Sequence, residues 1–177
     1  AVTIDEDGVV QIDPEKCTGC GNCVDACPVN IIELVSVDMK VHVRCSSHDK
    51  GKKAKEVCKV ACIACQLCVK KCPHDAIHME DGLAVIDYEK CTNSGICAAV
   101  CPTKAIVDEV KVRPKAVIGS KCEGSGKCKE VCPVKAIVGE PGERHEVIRD
   151  KCIGCGLCID ACPVKAIGVV GALGHQK

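Results

Sequence analysis

The sequence predicts an α+β fold of five tandem units, each a strand, a cysteine loop, a short helix and a second strand, arranged around its own cysteines and not around an aromatic core. Three observations carry that prediction. The 177 residues include 20 cysteines, far above ordinary globular usage. There is no Trp, no Phe and one Tyr, Tyr88, so large aromatic rings cannot fill the interior. The cysteines also recur with fixed internal spacing at a nearly constant period.

Spacing decides what the cysteines do. Cys17, Cys20, Cys23 and Cys27 followed by Pro28 form C-x2-C-x2-C-x3-C-P, and the run returns as Cys62, Cys65, Cys68, Cys72, Pro73 and as Cys152, Cys155, Cys158, Cys162, Pro163. This is the bacterial ferredoxin run: three closely spaced thiolates take three corners of one 4Fe-4S cube, and the fourth, before the proline, ligates the other cube. The fold class is therefore tandem bacterial-ferredoxin-like (4Fe-4S) repeats of α+β type, folded around clusters that substitute for an apolar core. A secreted disulfide scaffold and a zinc-binding structural module are the other readings of a cysteine-rich chain. The spacing disfavours both, since zinc sites use separated C-x2-4-C pairs and would leave a tight third thiolate idle.

Five units share one template. The first cysteines Cys62, Cys91, Cys122 and Cys152 are 29, 31 and 30 residues apart, whereas Cys17 and Cys62 are 45 apart. Each unit opens near a Lys-Cys step (Lys16, Lys90, Lys121, Lys151, with Ala61 in the second). Each closes on Cys-Pro and an isoleucine five residues past the last cysteine: Ile32, Ile77, Ile106, Ile137 and Ile167, all expected in the core. Alternation in Leu83–Asp87 and Glu146–Asp150 predicts short strands before a cysteine loop, and Cys23–Cys27 predicts about one helical turn. Loop glycines Gly19, Gly21, Gly154 and Gly156 supply the positive φ that turns backbone N–H groups toward sulfur. The long first interval contains an inserted segment, 38–57, in which Val41–Arg44 predicts a strand; a short helix is expected over Gly51–Val60. Its Lys52, Lys53 and Lys55 form either a solvated face or a docking patch for an acidic redox partner. Pro141-Gly142 within 139–146 predicts a hairpin connection between the fourth and fifth units.

Two units depart from the template at the same corner. The third, with Cys91, Cys97, Cys101 and Pro102, has Ser94 where the second thiolate belongs; the fourth, with Cys122, Cys128, Cys132 and Pro133, has Ser125. A hydroxyl is a harder ligand than a thiol and holds its proton more tightly, so each such site is weakened: a 3Fe-4S cluster, a serine-ligated cube or an empty site. Cys101 and Cys132 keep a use as fourth ligands of intact neighbours. Two pairings are open. Joining units two with three and four with five gives Cys62, Cys65, Cys68, Cys101 and Cys152, Cys155, Cys158, Cys132, with Cys45 or Cys58 as an extra ligand for the first unit. Joining units one with two gives Cys17, Cys20, Cys23, Cys72 and Cys62, Cys65, Cys68, Cys27, with 38–57 as a loop insertion. In either scheme only the first, second and fifth units bring a full triplet, so three 4Fe-4S clusters are expected and five is the ceiling.

Lys plus Arg and Asp plus Glu each number 24, which leaves no positive surplus for a nucleic-acid backbone. No run reaches the 18 or so apolar residues of a membrane span, and the acidic start AVTIDEDGVV is unlike a signal peptide, so a soluble chain is expected. Thiolate-held clusters require a reducing, anaerobic interior, which predicts a cytoplasmic protein. His42, His48, His74, His78, His145 and His175 read as isolated surface residues, with His74 and His78 flanking the second unit's Cys-Pro step. No nucleophile or phosphate loop accompanies them, so no substrate chemistry is expected, only one-electron conduction. The apolar tail Gly168–Leu173 finishes a strand or docks on a larger subunit.

Through Lys16–Cys20, Ile31–Leu34, Val41–Gly51 with Cys45, Val57–Cys65 with Cys58, and Ile86–Cys91, the chain resembles the polyferredoxin part of the B subunit of Rnf-type, ion-pumping ferredoxin:NAD oxidoreductases. The inserted segment with Cys45 and Cys58 is the most specific part of the resemblance. It implies a subunit relaying low-potential electrons within a larger redox complex, with ferredoxin and a flavin/NAD subunit as partners, cytoplasmic or peripheral to a membrane complex on its cytoplasmic side. The chain as read shows no N-terminal membrane helix or preceding cysteine domain. In size and general motif content it is also similar to the soluble ferredoxin subunits that feed tungsten or molybdenum enzymes such as aldehyde oxidoreductases and benzoyl-CoA reductases. The expected organisation is residues 1–110 for repeats one to three, including the insertion, and 111–177 for repeats four and five.

Overall fold

A computed structural model describes residues 1–6 and 10–171; Leu173 of the apolar tail and His175 lie outside the described residues. The chain divides into two compact units, Ala1–Met39 and Lys40–Lys177. Among the described residues, no helix is long and apolar enough to cross a membrane.

In Ala1–Met39, β1 (Val2–Ile4) and β2 (Val10–Ile12) form an antiparallel hairpin with Val2 opposite Ile12. Asp13 ties this hairpin to the first cysteine loop. Its N–H donates to the Ala1 carbonyl at 2.7 Å and its carbonyl accepts from the Cys17 N–H at 3.0 Å. Its carboxylate meets Lys16 at 3.0 Å, which holds it below the usual carboxylate range. The expected helical turn is α1 (Asn22–Asp25). Ile32 departs from expectation. It is only half buried, because residues 31–36 form no strand and therefore no sheet layer closes over it.

Within Lys40–Lys177 one topology occurs twice. The first module contains β3 (Val41–Val43), α2 (Gly51–Val57), α3 (Leu67–Lys71), β4 (Ile77–Glu80), β5 (Leu83–Ile86), α4 (Ile96–Val100) and β6 (Ile106–Asp108). The second contains β7 (Lys115–Ile118), α5 (Lys127–Val131), β8 (Ile137–Val138), β9 (Glu146–Val147), α6 (Leu157–Asp160) and β10 (Ile167–Val170). In each, an inner antiparallel hairpin, β4–β5 or β8–β9, follows the first helix-bearing motif, and the first and last strands pair with each other, β3 with β6 and β7 with β10. The second cysteine motif thus shares a module with the third, and the fourth with the fifth. The inserted segment supplies β3, so it is an integral strand of the first module. Its helix α2 is anchored by Ala54, 1% exposed, while Lys52, Lys53 and Lys55 are exposed and Lys53 pairs with Asp49 at 2.7 Å.

The two cores mix aliphatic side chains with cysteines. Val41, Ile77, Ala84, Ile86, Ala105 and Ile106 pack with Cys62 and Cys68 in the first, and Ala116, Ile118, Ile137 and Ile167 with Cys128 and Cys158 in the second. Ile77, Ile106, Ile137 and Ile167 occupy their expected buried places, each contributing about 1.5–3 kcal/mol by apolar transfer. The strand pattern explains the choice of residue: in β5 and β7 alternate positions are buried, and β-branched side chains fill a short pleated surface well.

Left-handed residues set the loops. All five motifs place a positive φ two and four residues after the first cysteine: Gly19 and Gly21, Ala64 and Gln66, Asn93 and Gly95, Gly124 and Gly126, Gly154 and Gly156. A second recurs three residues after the last cysteine, at Asn30, Asp75, Lys104, Lys135 and Lys165. A non-glycine residue pays roughly 1–2 kcal/mol in that region, partly offset by glycine's larger unfolded-state entropy. Ala64, at φ 56°, carries this cost without a polar side chain to reduce it. Ala64→Gly is therefore expected to stabilise the cluster-loaded protein by up to about 1 kcal/mol, measured as a higher temperature of thermal bleaching.

Candidate metal centres

The backbone delivers each motif's cysteines by two devices. The loop cysteines come from the segment with two left-handed residues, which runs directly into a short helix carrying the last of them: Cys68 in α3, Cys97 in α4, Cys128 in α5 and Cys158 in α6. The cysteine before proline ends or follows that helix, and in the second, third and fourth motifs it is an extended residue, with ψ 117° at Cys72, 115° at Cys101 and 110° at Cys132. The left-handed residue three positions on then folds backbone N–H groups back onto the sulfur. Ala136 N–H donates to Cys132 Sγ at 3.2 Å and Ala166 N–H to Cys162 Sγ at 3.3 Å. Proline directly after the cysteine leaves the intervening position without a donor. Such successive N–H groups form a concavity that favours negative charge.

The thiols fall into sets that cross between paired motifs. Cys158 has Cys155, Cys152 and Cys132 as its charge neighbours, and Cys155 has Cys132 and Cys152. These same four cysteines line one pocket. Cys68 neighbours Cys62 and Cys65, and Cys101 packs on the same core. At the serine-containing motifs, Cys97 neighbours Cys91, Cys68 and Cys72, and Cys128 neighbours Cys122 and Cys162. In the first motif Cys17 and Cys20 are exposed and Cys23 and Cys27 half buried. The Cys20 thiol is held below its ordinary value by the Asn22 N–H and the Thr18 hydroxyl, and Cys27 by the N–H groups of Ile31 and Val29.

Electrostatics at the buried sets run the other way. Burial pushes Cys68 up to about 11, Cys97 to about 12 and Cys158 to about 11, with neighbouring thiolates adding repulsion. Burial also acts on Cys101, but the N–H of Ile106, the Thr103 hydroxyl, 3.7 Å away, and the N–H groups of Thr103 and Ala105 outweigh it and leave the thiol below its ordinary value. Several thiolates confined in one buried site repel one another, and iron supplies the compensating positive charge. A soft four-thiolate set with N–H groups aimed at sulfur is the donor chemistry of a 4Fe-4S cluster, so the residues fit that group.

Other residues singled out from the sequence take varied places, some of them beside these sets. Cys45 is half buried and accepts the Cys62 N–H at 3.3 Å, while Cys58 is exposed at the end of α2. His42 Nδ1 lies 3.1 Å from the Tyr88 hydroxyl, and exposed His78 pairs with Glu80 at 2.8 Å. His48 is exposed, as expected. His74 is exposed and also lines the third motif's cavity. His145 contradicts the surface reading: it is 2% exposed, because Gly139, lacking a Cβ, lets it pack within 3 Å of where that atom would stand. Three contributors carried no signal in the sequence. Thr103 stands where the other motifs have valine or histidine, Lys115 Nζ donates to the Cys152 carbonyl, and Arg113 Nη2 donates to the Asn93 carbonyl at 2.7 Å.

Residues 116–169 match the 4Fe-4S dicluster domain, residues 61–105 match a second dicluster domain of the same description, and residues 10–33 match the 4Fe-4S binding domain. The chain is built of tandem 4Fe-4S ferredoxin domains. The two dicluster matches fall on the two modules defined by strand pairing. The B subunit of the ion-translocating oxidoreductase complex of Methanosarcina acetivorans is 50% identical over 106 residues, 60% of this chain and 40% of that protein. The B subunit of the Na(+)-translocating ferredoxin:NAD(+) oxidoreductase complex of Acetobacterium woodii is 46% identical over 111 residues, 63% and 33% respectively. An uncharacterized ferredoxin of Methanocaldococcus jannaschii is 36% identical over 112 residues, 62% and 64%. The ferredoxin chain thus spans well under half the length of the first two of these relatives.

Iron binding releases the protons of these thiols. Because Cys68, Cys97 and Cys158 are raised, cluster incorporation strengthens as pH rises and weakens as it falls. Anaerobic reconstitution at fixed iron and sulfide is expected to give less visible absorbance at about pH 6.5 than at about pH 8.5. The cluster-free fold responds oppositely. The contribution of the raised thiols to its stability is full below their unfolded value near 9 and is lost as pH rises through about 11 to 12.

Proposed function

We propose that this chain is an electron-transfer subunit, a multi-cluster 4Fe-4S polyferredoxin that relays single low-potential electrons within a larger redox complex. The observation that carries the reading is the gathering of the Cys152, Cys155 and Cys158 triplet with Cys132 of the paired motif. When bound, 4Fe-4S clusters take up and release one electron at a time. Cys152, Cys155, Cys158 and Cys132 hold one site; Cys62, Cys65, Cys68 and Cys101 hold a second; Cys17, Cys20 and Cys23 supply the third full triplet. The N–H groups of Ala136 and Ala166 stabilise negative charge on sulfur, and the buried Ile77, Ile137 and Ile167 exclude water beside the ligands.

The likeness to components of ion-translocating complexes supports a place in an Rnf-type assembly, with ferredoxin and a flavin/NAD subunit as partners on the cytoplasmic face. The exposed Lys52, Lys53 and Lys55 of α2 suit an acidic partner surface. The chain's own role is to hold ligands at fixed positions.

Anaerobic iron and sulfide quantitation with EPR of the reduced protein tests this. About twelve irons or more per chain, matching sulfide and reversible reduction are expected; zinc without sulfide overturns the reading. Cys158→Ala is expected to remove about four irons and one reduced signal while the signals of the other sites persist.

A further inference from the structure

The third motif lacks one thiolate, yet its site is built to the plan of the complete ones. Asn93 (φ 55°) and Gly95 (φ 73°) take the left-handed positions that Gly154 (φ 68°) and Gly156 (φ 84°) hold in the fifth motif. Cys68 and Cys72 of the second motif are both charge neighbours of Cys97 beside Cys91, and of the two only Cys72 lines the same pocket. Cys72, Cys91 and Cys97 line one pocket together with Ser94 and His74, as Cys132, Cys152, Cys155 and Cys158 line another at the complete fifth-motif site. Ser94 is half buried in that lining, whereas Ser125, its counterpart in the fourth motif, is exposed.

A second, independent feature holds this loop in shape. Arg113, whose side chain is only 13% exposed, donates through Nη2 to the Asn93 carbonyl at 2.7 Å and through Nε to Asp108 Oδ2 at 2.7 Å. Gly95 lies beneath it, and a Cβ there would stand 2.7 Å from Arg113 Nη2. The next residue, Pro114, presses its carbonyl against Gly154 in the loop between Cys152 and Cys155. One linker therefore grips the Ser94 loop with one residue and the fifth motif's loop with the next. Arg113 thus fixes the carbonyl next to Ser94 from a partly buried position.

We propose that Cys72, Cys91 and Cys97 form an occupied iron-sulfur site whose fourth corner, at Ser94, is a non-thiolate and exchangeable iron position, seated at the junction of the two modules. This deepens the electron-transfer reading and rests on it. Three soft thiolates retain three irons firmly, while a hydroxyl corner holds its iron weakly. Oxidation then balances simply: one ferrous ion leaves the cube and one electron passes to the added oxidant, leaving a 3Fe-4S core on the three cysteines.

The test uses the full chain purified anaerobically, with ferricyanide as the oxidant. Wild type is expected to release iron and develop an oxidised three-iron EPR signal that ferrous iron plus dithionite removes. Ser94→Cys is expected to lower that signal at least about twofold while total iron rises by no more than about one per chain. Cys97→Ala is expected to lose the Ser94-dependent signal and about three to four irons, with the reduced signals of the complete sites retained. A gain of about four irons in Ser94→Cys, or iron unchanged in Cys97→Ala, shows that the site is empty in wild type and overturns this inference alone. A chain without iron and sulfide overturns both this inference and the electron-transfer reading.

Discussion

Each thiol set in Lys40–Lys177 is completed by a cysteine from the other motif of its pair, and this exchange binds fold and chemistry together. Cys132 reaches the Cys152–Cys158 loop only because β7 pairs with β10 and β8 with β9, which lays α5 beside α6. In the other module Cys72 crosses to Cys97 and Cys101 packs on the core that holds Cys62 and Cys68, with α3 against α4. The fifth motif's triplet takes its fourth neighbour from the fourth motif. The two-motif module is therefore the smallest unit that can bury its isoleucines and satisfy its thiolates at once.

Cluster ligation also explains why so little apolar material suffices. Among the described residues the buried apolar side chains are isoleucine, alanine, cysteine and one valine, and a single repeat of about thirty residues lies in the size range where bound metal substitutes for apolar burial. The raised thiols are the other side of that arrangement. They mark sites where charge is costly until iron arrives, so assembly of the cofactor and consolidation of the fold draw on the same free energy.

Much of this was legible from residue type and spacing. The cysteine runs, the closing isoleucines at 77, 106, 137 and 167, the strands at Leu83 and Glu146 and the helix from Gly51 are local patterns, and local patterns survive folding. What was not legible depended on distant partners. Nothing near Val41 reveals that its strand belongs beside Ile106–Asp108, so the insertion could equally be taken for a loop. Arg113 looks like any linker arginine until Asn93, 20 residues earlier, is placed under it. Ile32 follows the template yet stays half exposed, since a template position does not create the strand that would cover it. His145 is buried for a reason that sits six residues away in Gly139.

The pairing of first strand with last has an architectural corollary. It brings the entrance and exit of a module side by side, as Val41 opposite Asp108 and Lys115 opposite Val170 show. A cassette whose ends are neighbours can be duplicated, spliced in or removed without dragging the surrounding chain across the molecule. Internal duplication then lengthens an electron wire by whole two-motif segments, and residues 109–114, where one cassette hands over to the next, become the place at which the pitch of that wire is set.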